Sequence, residues 1–118
     1  MASNKYQAAT EKIVQHFFPG VFDVVLGERV GVARKPDPQI VWDIVEAVKG
    51  EEAMRRRGEE IVYIGDSLVD AETAKAAGAR LVLCTWGFCT EEQLTAANPD
   101  YLIQYPLEIE DIICSIEK

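Results

Sequence analysis

The sequence predicts an α/β chain with a mainly parallel sheet, and three observations carry that expectation. Residues 61–64 (Ile61, Val62, Tyr63, Ile64) are an apolar, β-favouring run that leads directly into Gly65-Asp66-Ser67. An alanine-rich, helix-favouring segment follows as far as Gly78, and a second apolar run occupies residues 81–84. Strand, helix and strand at this spacing read as one βαβ unit with parallel strands and a right-handed crossover. The rest of the chain alternates strand and helix patterns in the same way. In such a sheet the ligand crevice lies beyond the carboxyl ends of the strands, which is where Asp66 falls. Asp66 and Asp70 are four apart in the first helical turn, so both carboxylates can face one side.

In chain order, residues 4–18 place Ala9, Ile13 and Phe17 at four-residue steps before Pro19-Gly20, which predicts an amphipathic helix with Ser3 as N-cap. His16, the only histidine, falls on that helix and reads as a packing or surface residue. Residues 22–26 predict a short strand, and residues 27–35 a loop. Asp37 followed by Pro38 has the form of an N-cap with proline at the first helical position. Ile40, Val41, Ile44, Val45 and Val48 supply the buried stripe of the helix behind it, so Lys35 lies just outside a helix N-terminus. Residues 51–60, with Arg55, Arg56 and Arg57 among glutamates, read as a solvated helix end rather than a phosphate-binding patch. Residues 85–88 are a loop, and Thr90 with Gln93 forms a capping box for a helix to about Ala97. Residues 101–103 predict a last strand, and Ile109, Ile112, Ile113 and Ile116 a final amphipathic helix.

At 118 residues and 48% hydrophobic, the chain has enough apolar surface for one domain and too little for two, so residues 1–118 are read as a single unit. The formal charge of −8 opposes attraction to nucleic acid or to an anionic membrane surface. No run approaches the roughly 18 apolar residues of a membrane span, and a cytoplasmic chain is expected. Cys84, Cys89 and Cys114 form neither an even disulfide set nor a zinc spacing.

The central residues allow two readings. Ser67 with Asp70 fits a capping box, and an acidic residue in a first helical turn suits the helix dipole, so the pair can be purely structural. Alternatively, two carboxylates at a strand end can take part in holding magnesium, which prefers carboxylate oxygens with waters and a substrate phosphate. Free N–H groups at a helix start, with Lys35 near, would then suit a phosphoryl group.

The segment GDSLVDAETAKAAG resembles the fourth signature motif of the haloacid dehalogenase (HAD) superfamily, whose acidic pair binds magnesium. RKPDPQ resembles the third motif, whose lysine steadies the phosphoryl group, and Ser3-Asn4-Lys5 is similar to the second, whose hydroxyl contacts phosphoryl oxygens. VFDVVLGE and TWGF resemble the phosphoglycolate phosphatase-like subgroup. The resemblance spans about residues 2–116. It implies a Rossmann-like three-layer sandwich and a magnesium-dependent phosphate monoester hydrolase. The roles it implies are Asp66 and Asp70 at the metal, Lys35 as electrostatic stabiliser and Ser3 as phosphoryl contact.

The family's first motif, Asp-x-Asp, supplies the nucleophile, and no Asp-x-Asp occurs in these 118 residues. The helical cap of the subgroup is also missing. The expectation is therefore an incomplete core, the C-terminal half of a phosphatase, with weak magnesium binding and no turnover by itself. A phosphorylated small molecule is its expected ligand once the missing half completes it. Because the family's first-motif strand lies mid-sheet, residues 61–64 would be left with an unpaired edge. Either residues 22–26 pair beside them, or a second copy covers them by exchanging elements, and a complementing polypeptide is the other partner expected. The alternative is a non-catalytic α/β interaction or assembly module built on the same scaffold. A phosphoacceptor receiver domain would need an early acidic pair that the chain lacks.

Overall fold

The structure is a computed structural model that describes residues 1–49 and 61–117. Its elements alternate as expected: β1 (Ala2–Tyr6), α1 (Gln7–Phe17), β2 (Leu26–Glu28), α2 (Gln39–Lys49), β3 (Val62–Gly65), α3 (Leu68–Ala77), β4 (Arg80–Cys84), α4 (Glu91–Ala96), β5 (Tyr101–Ile103) and α5 (Glu108–Glu117). Among the described residues every strand pairing is parallel. The strands form two groups, a pair β1-β2 and a triplet β3-β4-β5.

β4 is the centre of the triplet and shows why residues 81–84 are continuously apolar. Leu81 and Leu83 point to one face, where they pack with Ala71 and Ala74 of α3 and Leu94 of α4. Val82 and Cys84 point to the other, against Ile103 of β5 and Ile112 of α5. A parallel strand covered on both faces needs apolar residues at every position. A third cluster joins the two strand groups: Ile40 and Val41 of α2 with Ala77 of α3, against Ala2, Leu26, Ile61 and Tyr63. Helices thus cover both faces of the strands, which makes the α/β, Rossmann-like layering.

Local punctuation follows the sequence. Gly78 ends α3 in the left-handed region (φ 72°), and its N–H bonds back to Ala74 and Lys75. Thr90 and Gln93 form the reciprocal capping box of α4. The Asp37 carboxylate accepts from the Gln39 N–H at 2.9 Å, at the start of α2. Along α2, Ile40 and Val41 are buried, but Val48 is half exposed and does not extend the stripe.

Three expectations are corrected. Residues 4–6 are strand, not helix: α1 begins at Gln7, its N-cap is Tyr6 without a side-chain cap, and Ser3 lies within β1. The Leu26 N–H donates to the Met1 carbonyl at 2.9 Å, and this non-local ladder outweighs the helical periodicity of the segment. The expected strand at 22–26 is displaced to Leu26–Glu28. At Gly27 a Cβ would sit 2.6 Å from Thr10 Oγ1 and 3.0 Å from Gln7 Cα, so glycine lets α1 rest closely on this strand. Finally, β2 pairs with β1 and not beside β3, so it does not close the gap next to residues 61–64. The arginine-rich segment 51–60 lies outside the described residues.

Candidate active site

The site is built where β3 ends and α3 begins, and Asp70 is its hub. Asp70 Oδ1 accepts from Lys35 Nζ at 2.9 Å and from the Tyr63 hydroxyl at 3.1 Å. Its Oδ2 accepts from the Asp66 N–H at 3.1 Å and the Ser67 hydroxyl at 2.9 Å. The Ser67 hydroxyl in turn accepts from the Asp70 N–H at 3.2 Å, which is the N-cap of α3. Both readings of Ser67 and Asp70 therefore meet in one group, since the cap that starts the helix also orients the carboxylate that receives Lys35.

Lys35 and Asp70 are a nearly buried ion pair, with side chains 12% and 11% exposed. Burial by itself would raise the carboxyl's pKa, but the Lys35 ammonium, the Asp66 N–H and the Ser67 hydroxyl hold it below the usual range. The same environment pushes the Tyr63 phenol well above its ordinary value, through burial first and the Asp70 charge second. Cys84 is raised as well, by burial and then by the charges of Asp66 and Asp70.

Asn4 completes the positioning of Lys35. Its Oδ1 accepts from the Lys35 N–H at 3.0 Å, and its Nδ2 donates to the Lys35 carbonyl at 3.3 Å. This two-point clamp ties β1 to the loop before α2. Its partners are 31 residues apart, so spacing within either segment gave no sign of it. Ser3, its neighbour, has its hydroxyl on the Lys5 N–H at 3.1 Å and does not line the trench described next.

Lys35, Asp66 and Asp70 all line one trench of about 650 Å³, together with β1, β3, α2, Cys84 and Trp86. Of the two aspartates, Asp66 is exposed and Asp70 buried. Two glycines bring backbone against these carboxylates. A Cβ at Gly65 would fall on the Asp70 side chain, and one at Gly87 would lie 2.6 Å from Asp66 Oδ2. Gly87 belongs to the TWGF segment, where the pattern marked a loop and gave no reason for the glycine.

Magnesium is a small octahedral cation with six oxygen ligands. Asp70 has four hydrogen bonds on its two oxygens, which leaves Asp66 as the carboxylate open to the trench. Among the described residues, no group of three or more His, Cys, Asp or Glu side chains gathers. These residues fit a magnesium ion only as part of a shell that phosphate oxygens, waters and a further ligand complete.

The parallel α/β sheet thus carries a nearly buried lysine–carboxylate pair at the carboxyl end of β3. Residues 1–78 match the haloacid dehalogenase-like hydrolase family, and the chain belongs to that family. It is 37% identical over 89 residues to a phosphoglycolate phosphatase of Cereibacter sphaeroides, covering 75% of this chain and 37% of the relative. A phosphoglycolate phosphatase of Aquifex aeolicus is 29% identical over 110 residues, covering 92% of this chain and 47% of the relative. Among solved structures, a Lactobacillus delbrueckii subsp. bulgaricus protein proposed to be a phosphoglycolate phosphatase superposes with a TM-score of 0.83 at 30% identity, covering 95% of this chain and 44% of that one. The chain thus spans less than half the length of these relatives.

Proposed function

We propose that this chain carries the phosphoryl- and metal-handling part of a magnesium-dependent phosphate monoester hydrolase, and that it does not turn over substrate by itself. The observation that carries the reading is the 2.9 Å Lys35–Asp70 pair in one trench with the open Asp66 carboxylate. In this reading the Lys35 ammonium, held by Asp70 and the Asn4 clamp, stabilises negative charge on phosphoryl oxygens. Asp66 serves as a direct magnesium ligand, and Asp70 acts behind it through hydrogen bonds. Bound magnesium would withdraw charge from the phosphoryl oxygens and orient the group. Ser3 remains a candidate phosphoryl contact on the resemblance alone, since its hydroxyl accepts from the Lys5 N–H and it does not line the trench.

Hydrolysis through a covalent aspartyl phosphate needs a second free carboxylate. That oxygen forms the new bond to phosphorus as the bond to the leaving alcohol breaks. In this reading Asp66 is given to the metal and the Asp70 oxygens are taken up by four hydrogen bonds, so the attacking carboxylate comes from outside the described trench. A small phosphate monoester is the proposed ligand class, supported by the phosphoglycolate phosphatases it resembles. A cytosolic location is proposed on composition. Among the described residues, no helix is long and apolar enough to cross a membrane.

The test is an aryl phosphate assay with magnesium, alongside calorimetry with inorganic phosphate. The expected result is no turnover above background, with magnesium-dependent phosphate binding that Lys35→Ala abolishes. Turnover lost in Asp66→Asn would overturn the claim of inactivity. Phosphate binding unchanged by Lys35→Ala would overturn the site. A second reading, a non-catalytic interaction module, is favoured by the edge of β3 on the trench, which has no strand partner among the described residues.

A further inference from the structure

A second cavity, of about 420 Å³, opens at the carboxyl ends of β1 and β2, and it shares no lining residue with the trench. Three charged side chains line it. Lys5, near the end of β1, is exposed, and its ammonium has no partner among the described residues. Arg34 meets Glu28, the last residue of β2, only through Nε at 3.8 Å, which is beyond hydrogen-bond range. The outer fork of its guanidinium therefore has no partner among the described residues. Two cations against one carboxylate leave one positive charge uncompensated. The rest of the wall is apolar or aromatic: Ala9 and Ile13, four apart on one face of α1, and the Tyr6 ring, which is 73% exposed. Lys35, by contrast, already has its ammonium on Asp70.

We infer that this cavity is a second binding site, for a small organic monoanion: a carboxylate carried on an apolar or planar body. The planar fork of Arg34 matches a carboxylate with two parallel hydrogen bonds, and Lys5 adds a point charge from the neighbouring strand. A single negative charge suits the one uncompensated cation. A phosphate dianion would exceed it and would lie against the Glu28 carboxylate. The body is called for by Tyr6, Ala9 and Ile13, whose apolar surface a bare inorganic ion would leave wet. The volume falls in the range of roughly 300–1,000 Å³ typical of small-molecule pockets, and strand carboxyl ends are where ligands sit in parallel α/β sheets. The inference goes beyond the proposed function, because binding here uses neither magnesium nor the trench. Arg34 is next to Lys35 in sequence, and Asn4 both lines this cavity and grips the Lys35 backbone, so a test has to separate the two cations.

The probe is benzoate, titrated without magnesium into the isotope-labelled whole chain while amide NMR shifts are followed residue by residue. Benzyl alcohol is the control with the same ring and no charge, and inorganic phosphate the control with charge and no ring. The expected result is saturable shifts at Lys5, Tyr6, Ala9 and Arg34, with an affinity in the millimolar range. Arg34→Gln and Lys5→Gln, both at exposed side chains, should each weaken that affinity about three- to five-fold while the rest of the spectrum keeps its positions. No saturation, equal shifts with benzyl alcohol, or phosphate binding as tightly to the same residues overturns the inference. Shifts centred on Gly65 and Asp66 assign benzoate to the trench and overturn it too, as does an unchanged affinity in both variants. Benzoate binding at the cavity without any magnesium-dependent phosphate binding would count against the proposed function alone.

Discussion

Lys35 Nζ lies 2.9 Å from Asp70 Oδ1, and both side chains are close to nine-tenths buried. The pair joins residues 35 positions apart and locks the loop before α2 to the first turn of α3. Removing one partner of such a pair leaves an uncompensated buried charge, at a cost of about 3–5 kcal/mol. Asp70→Ala should therefore lower the unfolding free energy, read from a urea titration, by that amount. Asp66→Ala, at an exposed carboxylate, should change stability by less than about 0.5 kcal/mol. Equal effects of the two substitutions would show that the pair does not organise the site.

Acid stability should report the same carboxylate. Because its pKa in the folded chain lies below the ordinary value, the unfolded chain binds protons first as pH falls. The stabilisation is complete above about pH 4 and is lost as pH falls further, through the depressed value. Denaturation midpoints taken between pH 6 and pH 2 should show this loss in the parent chain and a shallower one in Asp70→Asn.

At the alkaline end the sign reverses. The Tyr63 phenol is pushed up in the folded chain, by burial and by Asp70, so above about pH 10 the unfolded chain loses its proton first and stability falls as pH rises. Tyr63→Phe should remove that part of the alkaline loss. An unaltered alkaline profile in the variant would place the phenol away from Asp70.

Gly87 tests the open carboxylate separately from the fold. An added methyl would lie 2.6 Å from Asp66 Oδ2 and must displace it. Gly87→Ala should weaken magnesium-dependent phosphate binding in calorimetry while changing stability by less than about 1 kcal/mol. Gly20→Ala is the contrast: nothing lies within 4 Å of the new methyl, but φ is 72°, so it should cost about 1 kcal/mol and leave binding unchanged.

The three thiols should separate by environment. Cys114 is exposed and Cys89 intermediate, whereas Cys84 is buried and its pKa is raised by burial and by the two nearby aspartates. Since the thiolate is the reactive form, alkylation near pH 8 should be fastest at Cys114 and slowest at Cys84. Mass spectrometry over a time course gives the order directly.

The features legible from residue order lie within a few positions along the chain. The β3-α3-β4 unit, the Ser67 cap, the Gly78 stop and the capping box at Thr90 and Gln93 each depend on neighbours three or four positions away, so periodicity and residue type were enough to read them. The family was legible too, because its motifs are short and ordered. Only the tertiary structure decided that Ser3 belongs to a strand and that Asn4 clamps Lys35. It also decided that Asp70 is occupied while Asp66 is open, and that β2 joins β1 and leaves a trench beside β3. Those outcomes depend on backbone ladders and side-chain contacts between segments tens of residues apart. Which edge finds which partner is settled by packing over α2, a competition that no local spacing records.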